Sequence, residues 1–186
     1  MKSIKFFLAM LLMGVAFVSC SDDNDDPKTE DQPTYAKYDI TITSADGAED
    51  QKKVMNTFVT TPSDNQGNYS TKNISPTASW NAKSVPFALP YSGYIKVVQE
   101  VKENADLTQK SEYKVGLKID LKVYSTGSDQ DDIHDFKEFN ENTVYEIEAD
   151  NIRKAYPDTL TLNFSIDAKG VVSIEKVQNS VFPIIN

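Results

Sequence analysis

One stretch of the chain alternates so regularly that it sets the class of fold. From Tyr113 to Tyr124 the sequence reads YKVGLKIDLKVY, with an apolar side chain at every second position. Because successive side chains of a β-strand point to opposite faces, this pattern predicts one long strand with a buried face and a wet face. Residues 159–167 repeat the pattern, and residues 168–170 place a turn before residues 171–177. This second region therefore predicts a β-hairpin.

Shorter alternating segments occur at residues 35–43, 94–103 and 143–149, and each predicts a further strand. Only two segments have a helical pattern. Residues 46–58 form the first, although its end at Phe58 is equally compatible with the start of a strand, and residues 151–156 form a single turn before a proline.

Six or seven strands joined by short connections indicate an all-β protein with antiparallel sheets, because parallel strands need long crossover helices. We expect a β-sandwich that is immunoglobulin-like in the loose sense, as a single domain spanning residues 35–186. A small calycin-like β-barrel is the alternative, since barrels also use long alternating strands.

The N-terminus has the layout of an export signal. Lys2 and Lys5 precede an apolar run, Phe6 to Val18, of thirteen residues. A helix of that length covers about 20 Å, which is too short for the ~30 Å hydrocarbon core of a membrane. Residues 1–19 are therefore predicted to be a signal peptide.

The end of this run, Phe17-Val18-Ser19-Cys20, resembles the lipobox of bacterial lipoproteins, although Phe17 stands where leucine is commoner. The resemblance implies cleavage before Cys20 and a diacylglyceryl group on its thiol, with acyl chains such as palmitate. The lipid on Cys20 would then anchor the protein to the membrane. The alternative is a buried free thiol beside an ordinary secretory signal.

The residues after Cys20 are a serine and a group of acids, and they resemble the export signal of Bacteroidetes-type surface lipoproteins. These residues are Ser21, Asp22, Asp23, Asp25 and Asp26. The resemblance implies an outer-membrane protein facing outward, with the periplasmic face as the alternative. Residues 20–34 are charged and lack an apolar cluster, so they predict a flexible tether.

Composition excludes several classes of function. The chain has 28 acidic and 19 basic residues, for a net charge of −9. Arg153 is its sole arginine. Nucleic-acid binding is excluded, because it needs a basic surface that neutralises phosphates. The folded part contains no cysteine, so packing must hold it together without disulfides.

The residues needed for catalysis are scarce. His134 is the only histidine, and no strained Gly-x-Ser-x-Gly turn is present. His134 falls in an acidic segment, residues 125–135, which we predict to be an exposed loop. Its carboxylates suggest calcium, but Ile133 and His134 occupy positions where an EF-hand needs a ligand and a glycine. We therefore predict no enzyme activity, no catalytic residues, no metal and no cofactor.

Aromatic residues cluster in one segment, residues 80–94, where Pro86 and Pro90 predict a stiff loop outside regular strand pairing. Aromatic rings with a polar edge can stack on sugar faces while neighbouring polar groups bind the hydroxyls. Trp80, Tyr91 and Tyr94 are therefore the candidate residues for binding a ligand such as a glycan. The alternative is that these rings belong to the hydrophobic core.

Asp158-Thr159-Leu160 resembles the acceptor motif for O-glycosylation in the same bacterial group, which makes Thr159 a candidate modification site. Together these features predict a non-catalytic, lipid-anchored surface protein that captures an extracellular glycan or another ligand beside an outer-membrane uptake partner. The alternative is a structural or adhesion subunit of the cell envelope that acts through protein contacts.

Overall fold

The computed structural model describes residues 32–75 and 79–179. The predicted signal peptide, the predicted lipidation site Cys20 and the C-terminal residues 181–186 lie outside the described residues. So do the five residues of the predicted export signal, Ser21, Asp22, Asp23, Asp25 and Asp26. No helix within the described part of the chain is long and apolar enough to cross a membrane.

The described residues form ten strands and two short helices. The strands are β1 (Tyr35–Ser44), β2 (Met55–Pro62), β3 (Tyr69–Asn73), β4 (Ser79–Lys83), β5 (Phe87–Ala88), β6 (Tyr91–Val101), β7 (Glu112–Thr126), β8 (Ile133–Glu148), β9 (Asp158–Ile166) and β10 (Val172–Asn179). The helices are α1 (Gln51–Val54), between β1 and β2, and α2 (Ala149–Ala155), between β8 and β9.

The strands form two antiparallel sheets packed face to face. The first sheet has the order β4-β1-β7-β8, with β5 also paired to β1, and the second has the order β10-β9-β6-β2-β3. The predicted all-β sandwich is confirmed, and the described strands do not close into the alternative barrel.

The core lies between the sheets and follows the predicted alternation. On β7, Leu117, Ile119 and Leu121 are all at most 9% exposed. Tyr38 of β1 packs with its ring centroid 6.0 Å from that of Phe164, and its hydroxyl donates a hydrogen bond to a carbonyl oxygen on β2. Burying each large side chain contributes about 1.5–3 kcal/mol, so packing can hold this fold without disulfides.

Polar contacts link the two sheets on the side where β8 and β10 lie. The Asp135 carboxylate on β8 accepts a hydrogen bond from the Val172 N–H, at 2.9 Å. The Lys176 ammonium on β10 lies 2.7 Å from the Glu141 carboxylate on β8. Charged side chains that point inward at edge strands also discourage pairing with other chains.

The predicted turn between β9 and β10 is present, and backbone pairing starts one residue before the predicted domain. Gly170, in the predicted β9–β10 turn, has a φ of +81°, which glycine adopts without strain. Backbone hydrogen bonding to the sheet begins at Thr34, the last residue of the predicted tether, because the Thr34 N–H donates to the Thr126 carbonyl at 2.8 Å.

Three local predictions were wrong in part. The helical pattern at residues 46–58 yields only α1, and β2 begins at Met55. The loop predicted at residues 125–135 spans only residues 127–132, because β7 continues to Thr126 and β8 starts at Ile133. The strand predicted at residues 143–149 is therefore the last part of a much longer edge strand.

The third wrong prediction concerns the aromatic segment. Residues 80–94 do not form a loop outside strand pairing, because they contribute to β4, β5 and β6. Pro86 and Pro90 lie between these strands, where a missing N–H breaks no ladder hydrogen bond.

Candidate functional site

Trp80 lies in the first sheet and packs toward the interior. It sits on β4 directly opposite Ile42 of β1, and both side chains belong to the main hydrophobic cluster. The ring is half-buried, whereas the adjacent Asn81 points to solvent. Trp80 is thus placed as part of the core, in agreement with the structural alternative for the aromatic segment.

Tyr91 lies at the start of β6 and also packs inward. Its ring stacks on that of Phe87, with centroids 4.3 Å apart and planes 9° from parallel. Burial raises the pKa of the Tyr91 hydroxyl to about 12, and the nearby Tyr69, Tyr38 and Asp64 add to the effect. Tyr91 therefore supports the aromatic end of the core.

Tyr94 has a different environment. It is three residues beyond Tyr91 on β6, so it points to the outer face of the second sheet. There its ring stacks on Tyr69 of β3, with centroids 4.1 Å apart and planes 16° from parallel. Of the three aromatic residues predicted to bind a ligand, only Tyr94 thus belongs to an outward-facing aromatic surface.

Tyr69 was not predicted from the sequence. It lies in the polar stretch Gly67-Asn68-Tyr69-Ser70-Thr71, where a lone aromatic residue is the one available signal. Partial burial under its partner ring raises the pKa of the Tyr69 hydroxyl. The stacking could not be predicted, because it depends on how β3 and β6 are placed in the same sheet.

A groove of about 440 Å³ begins at this aromatic pair and runs across the second sheet. Its floor is a row of three serines in register across β6, β9 and β10. They are Ser92, Ser165 and Ser173. The row of larger residues beside it consists of Tyr94, Asn163 and Glu175, also in register. The groove exists because small side chains form one row and large side chains form the next. Its volume falls in the range of small-molecule sites, about 300–1,000 Å³.

The groove offers hydrogen-bonding groups of several kinds. The hydroxyls of Ser165 and Ser173 lie 2.7 Å apart and share a hydrogen bond. Glu175 is exposed and is the only lining residue that carries a charge at neutral pH. An aromatic wall, a hydroxyl floor, an amide and one carboxylate are groups that can bind a polyhydroxylated ligand.

Thr159 is half-buried on β9, between Val98 of β6 and Asn179 of β10. The preceding Asp158 is buried and faces the interior, so the acceptor motif lies within a central strand rather than in a loop. Its modification stays a prediction.

The acidic segment near His134 forms a turn and the exposed start of β8. One carboxylate oxygen of Asp129 accepts hydrogen bonds from the N–H groups of Asp131 and Asp132, each at 3.2 Å. Within residues 32–75 and 79–179, no group of three or more His, Cys, Asp and Glu side chains is placed to hold a metal ion.

Comparison of the chain with models of protein families, with curated proteins and with solved structures found no match.

Proposed function

We propose that this protein is a non-catalytic, lipid-anchored protein of the outer-membrane surface, and that it binds an extracellular glycan in the groove beside Tyr69 and Tyr94. The observation that carries the proposal is the stacked tyrosine pair next to a floor of serine hydroxyls. The proposed site therefore lies on the outer face of the second sheet, whereas Trp80 packs against the core.

The chemistry of the groove fits a sugar chain. A pyranose ring has an apolar face of C–H groups, which packs against an aromatic ring, and an edge of hydroxyls, which need hydrogen-bond partners. Tyr94, which is half-buried, supplies an aromatic surface for the apolar contact. Asn163 offers both donors and an acceptor, and Glu175 offers acceptors. Neither side chain forms a hydrogen bond or an ion pair within the described residues, so both are available to a ligand.

The proposed anchor is a lipid on Cys20. A lipidated Cys20 would hold the protein at the membrane by its acyl chains, at about 0.8 kcal/mol per buried CH₂ group. The eleven residues 21–31 could span at most about 40 Å if fully extended.

Affinity electrophoresis against a panel of plant, host and microbial polysaccharides tests the proposal. We expect at least one neutral polymer to retard the protein. Tyr94→Ala should weaken that binding at least about tenfold, or 1.4 kcal/mol. Phe136→Ala is the matched control, because it removes an exposed ring from the other sheet. Trp80→Phe, which keeps a core ring, should bind as the native protein does.

If no polysaccharide in the panel retards the protein, the proposal of glycan binding is contradicted. Equal loss in Tyr94→Ala and Phe136→Ala would contradict the placement of the site.

A second candidate function is a structural or adhesion subunit, and one observation favours it. Ile133 and Phe136, on the edge strand β8, are 42% and 48% exposed. An edge strand that carries exposed apolar side chains can pair with another protein. Co-purification of an outer-membrane partner that is lost in Phe136→Ser, without any retardation by polysaccharide, would favour this function.

A further inference from the structure

The two stacked tyrosines at the end of the groove lie on strands that are not neighbours. Tyr69 is on β3 and Tyr94 is on β6, and β2 lies between these two strands. The backbones of β3 and β6 are therefore about 9.5 Å apart, twice the usual strand spacing. The two ring centroids, however, are only 4.1 Å apart, with planes 16° from parallel. The rings thus lean toward each other above β2, and the direction in which they stack runs across the strands.

Each tyrosine therefore covers one face of the other ring. The second face of Tyr94 looks away from Tyr69 and toward β9, which is the other neighbour of β6. Asn163 of β9 is in register with Tyr94 and lines the groove on that side. The free face of Tyr94 is thus a wall at the end of the groove, and the plane of this wall runs along the strands.

The orientation of this wall decides how a sugar chain can lie. A pyranose ring that packs on the free face of Tyr94, at a contact distance of about 3.5–4.0 Å, has its own plane along the strands. In a β-1,4-linked chain of glucose, xylose or mannose, both linkages of each ring are equatorial, so the chain continues in the plane of the ring. Such a chain leaves the groove along the strands, because the groove itself runs across them.

We propose that an extended β-1,4-linked glycan lies parallel to β6 and β9, with one sugar ring against Tyr94 and the next over Lys96 and Thr161. This path, which rests on the proposed function, narrows the ligand to flat chains whose linkages lie in the ring plane. Lys96 is two residues beyond Tyr94 on the same face of β6, and it is in register with Thr161 of β9. Both side chains are half-buried, and they offer an ammonium and a hydroxyl that can donate to sugar oxygens.

Calorimetric titration of the protein with cellohexaose, xylohexaose and mannohexaose tests the ligand class. Maltohexaose is the control, because its axial linkages turn the chain out of the ring plane. We expect at least one of the three flat hexasaccharides to bind at least about tenfold more tightly than maltohexaose. If a polysaccharide of the panel retards the protein but none of the three binds, this class is wrong and glycan binding stands. If neither polymers nor hexasaccharides bind, the proposed function fails as well.

Two tryptophan variants test the path of the chain. Thr161→Trp places a large ring on the path along the strands, and it should weaken hexasaccharide binding at least about tenfold. Ser173→Trp places the same ring in the part of the groove over β10, on the path across the strands. Binding to this variant should stay within about threefold of binding to the native protein. The opposite pattern, or equal losses in both variants, would overturn the proposed direction.

The native protein provides a second measurement in case Thr161→Trp does not fold. The hexasaccharide that binds should shift the nuclear magnetic resonance signal of the Thr161 methyl group, because the second sugar lies over it. A Thr161 signal that stays unchanged when the hexasaccharide saturates the protein would overturn the path along the strands.

Discussion

The carboxylate of Asp50 is 1% exposed, and the Lys110 ammonium donates to both of its oxygens, at 2.7 and 2.9 Å. The Lys114 N–H donates to it as well, at 3.0 Å. Burial by itself would raise the pKa of Asp50, but these hydrogen bonds and the nearby lysines outweigh burial and lower it. The ionised form of Asp50 thus holds the start of α1 against the start of β7.

Asp50→Asn should therefore destabilise the protein by about 2 kcal/mol at neutral pH, through the loss of charge-assisted hydrogen bonds. A carboxyl group whose pKa is lower in the folded than in the unfolded state stabilises the fold at pH values above its unfolded pKa, near 3.8. This contribution disappears as the pH falls through the folded pKa. The difference between variant and native protein should shrink accordingly in acid. Urea denaturation across the acid range measures both effects.

Asp39→Asn is the matched control for this prediction, because Asp39 is 35% exposed and lies 3.9 Å from Lys83. Exposed pairs of this kind contribute about 0–1 kcal/mol. Equal losses in the two variants would show that the buried geometry of Asp50 has no special role.

Asp158 should have the opposite dependence on pH. Burial raises its pKa above 3.8, Glu141 adds to the effect, and the Thr159 N–H and Lys176 oppose it. The folded state then holds the proton more tightly than the unfolded state, so this group's contribution is greatest below pH 3.8 and is lost as pH rises through the folded pKa. Asp158→Asn should be more stable than the native protein at neutral pH, and the gain should fade toward about pH 4. A variant that is less stable at neutral pH would refute this sign.

The fold was predictable because its main signal is local. The alternation of apolar and polar residues in β1, β7 and β9 indicates which face of each strand is buried. Gly170 indicates the turn of the β9–β10 hairpin. β8 was mostly missed for a physical reason. It is an edge strand with both faces largely exposed, so burial imposes no alternation on its first ten residues.

The site was harder to predict than the fold. Aromatic clustering found Tyr94, but it also selected Trp80 and Tyr91, which pack into the core. Tyr69 and the serine floor depend on register between strands that are far apart in sequence. A single sequence gives each strand's own pattern, and it does not state which residues of other strands lie beside it.

Gly116 shows another feature that sequence alone does not reveal. It lies in the middle of β7, and a Cβ atom at this position would overlap the backbone carbonyl of Thr143 on β8. Gly116→Ala should therefore force the two strands apart and destabilise the protein by about 3 kcal/mol.

Gly67→Ala is the control for that prediction. Gly67 has a φ of +81° with nothing within 4 Å of a new Cβ, so only the cost of a left-handed conformation applies, about 1–2 kcal/mol. Thermal or urea denaturation of both variants makes the comparison. A smaller loss for Gly116→Ala than for Gly67→Ala would show that β7 and β8 can move apart at little cost.

Glu175 should set the charge class of the ligand. It is the one residue of the groove that is charged at neutral pH, and the chain as a whole carries −9. Uronate or sulfated polymers would meet a like charge beside Asn163, whereas a neutral polymer can donate its hydroxyl protons to the carboxylate. Glu175→Lys should therefore weaken binding of a neutral polysaccharide by about 1 kcal/mol and improve binding of its carboxymethylated derivative.

Glu100→Lys supplies the matched control, because it makes the same charge change on the outer face of β6 but away from the groove. Affinity electrophoresis with the neutral polymer and its carboxymethylated form is run at low and high salt. It distinguishes a direct contact in the groove from the long-range electrostatic effect of the protein's net charge, which salt screens. If Glu100→Lys changes the preference as much as Glu175→Lys does, net charge rather than the groove selects the ligand. If the native protein already prefers the carboxymethylated form, a glycan is still bound, but the assigned role of Glu175 is wrong.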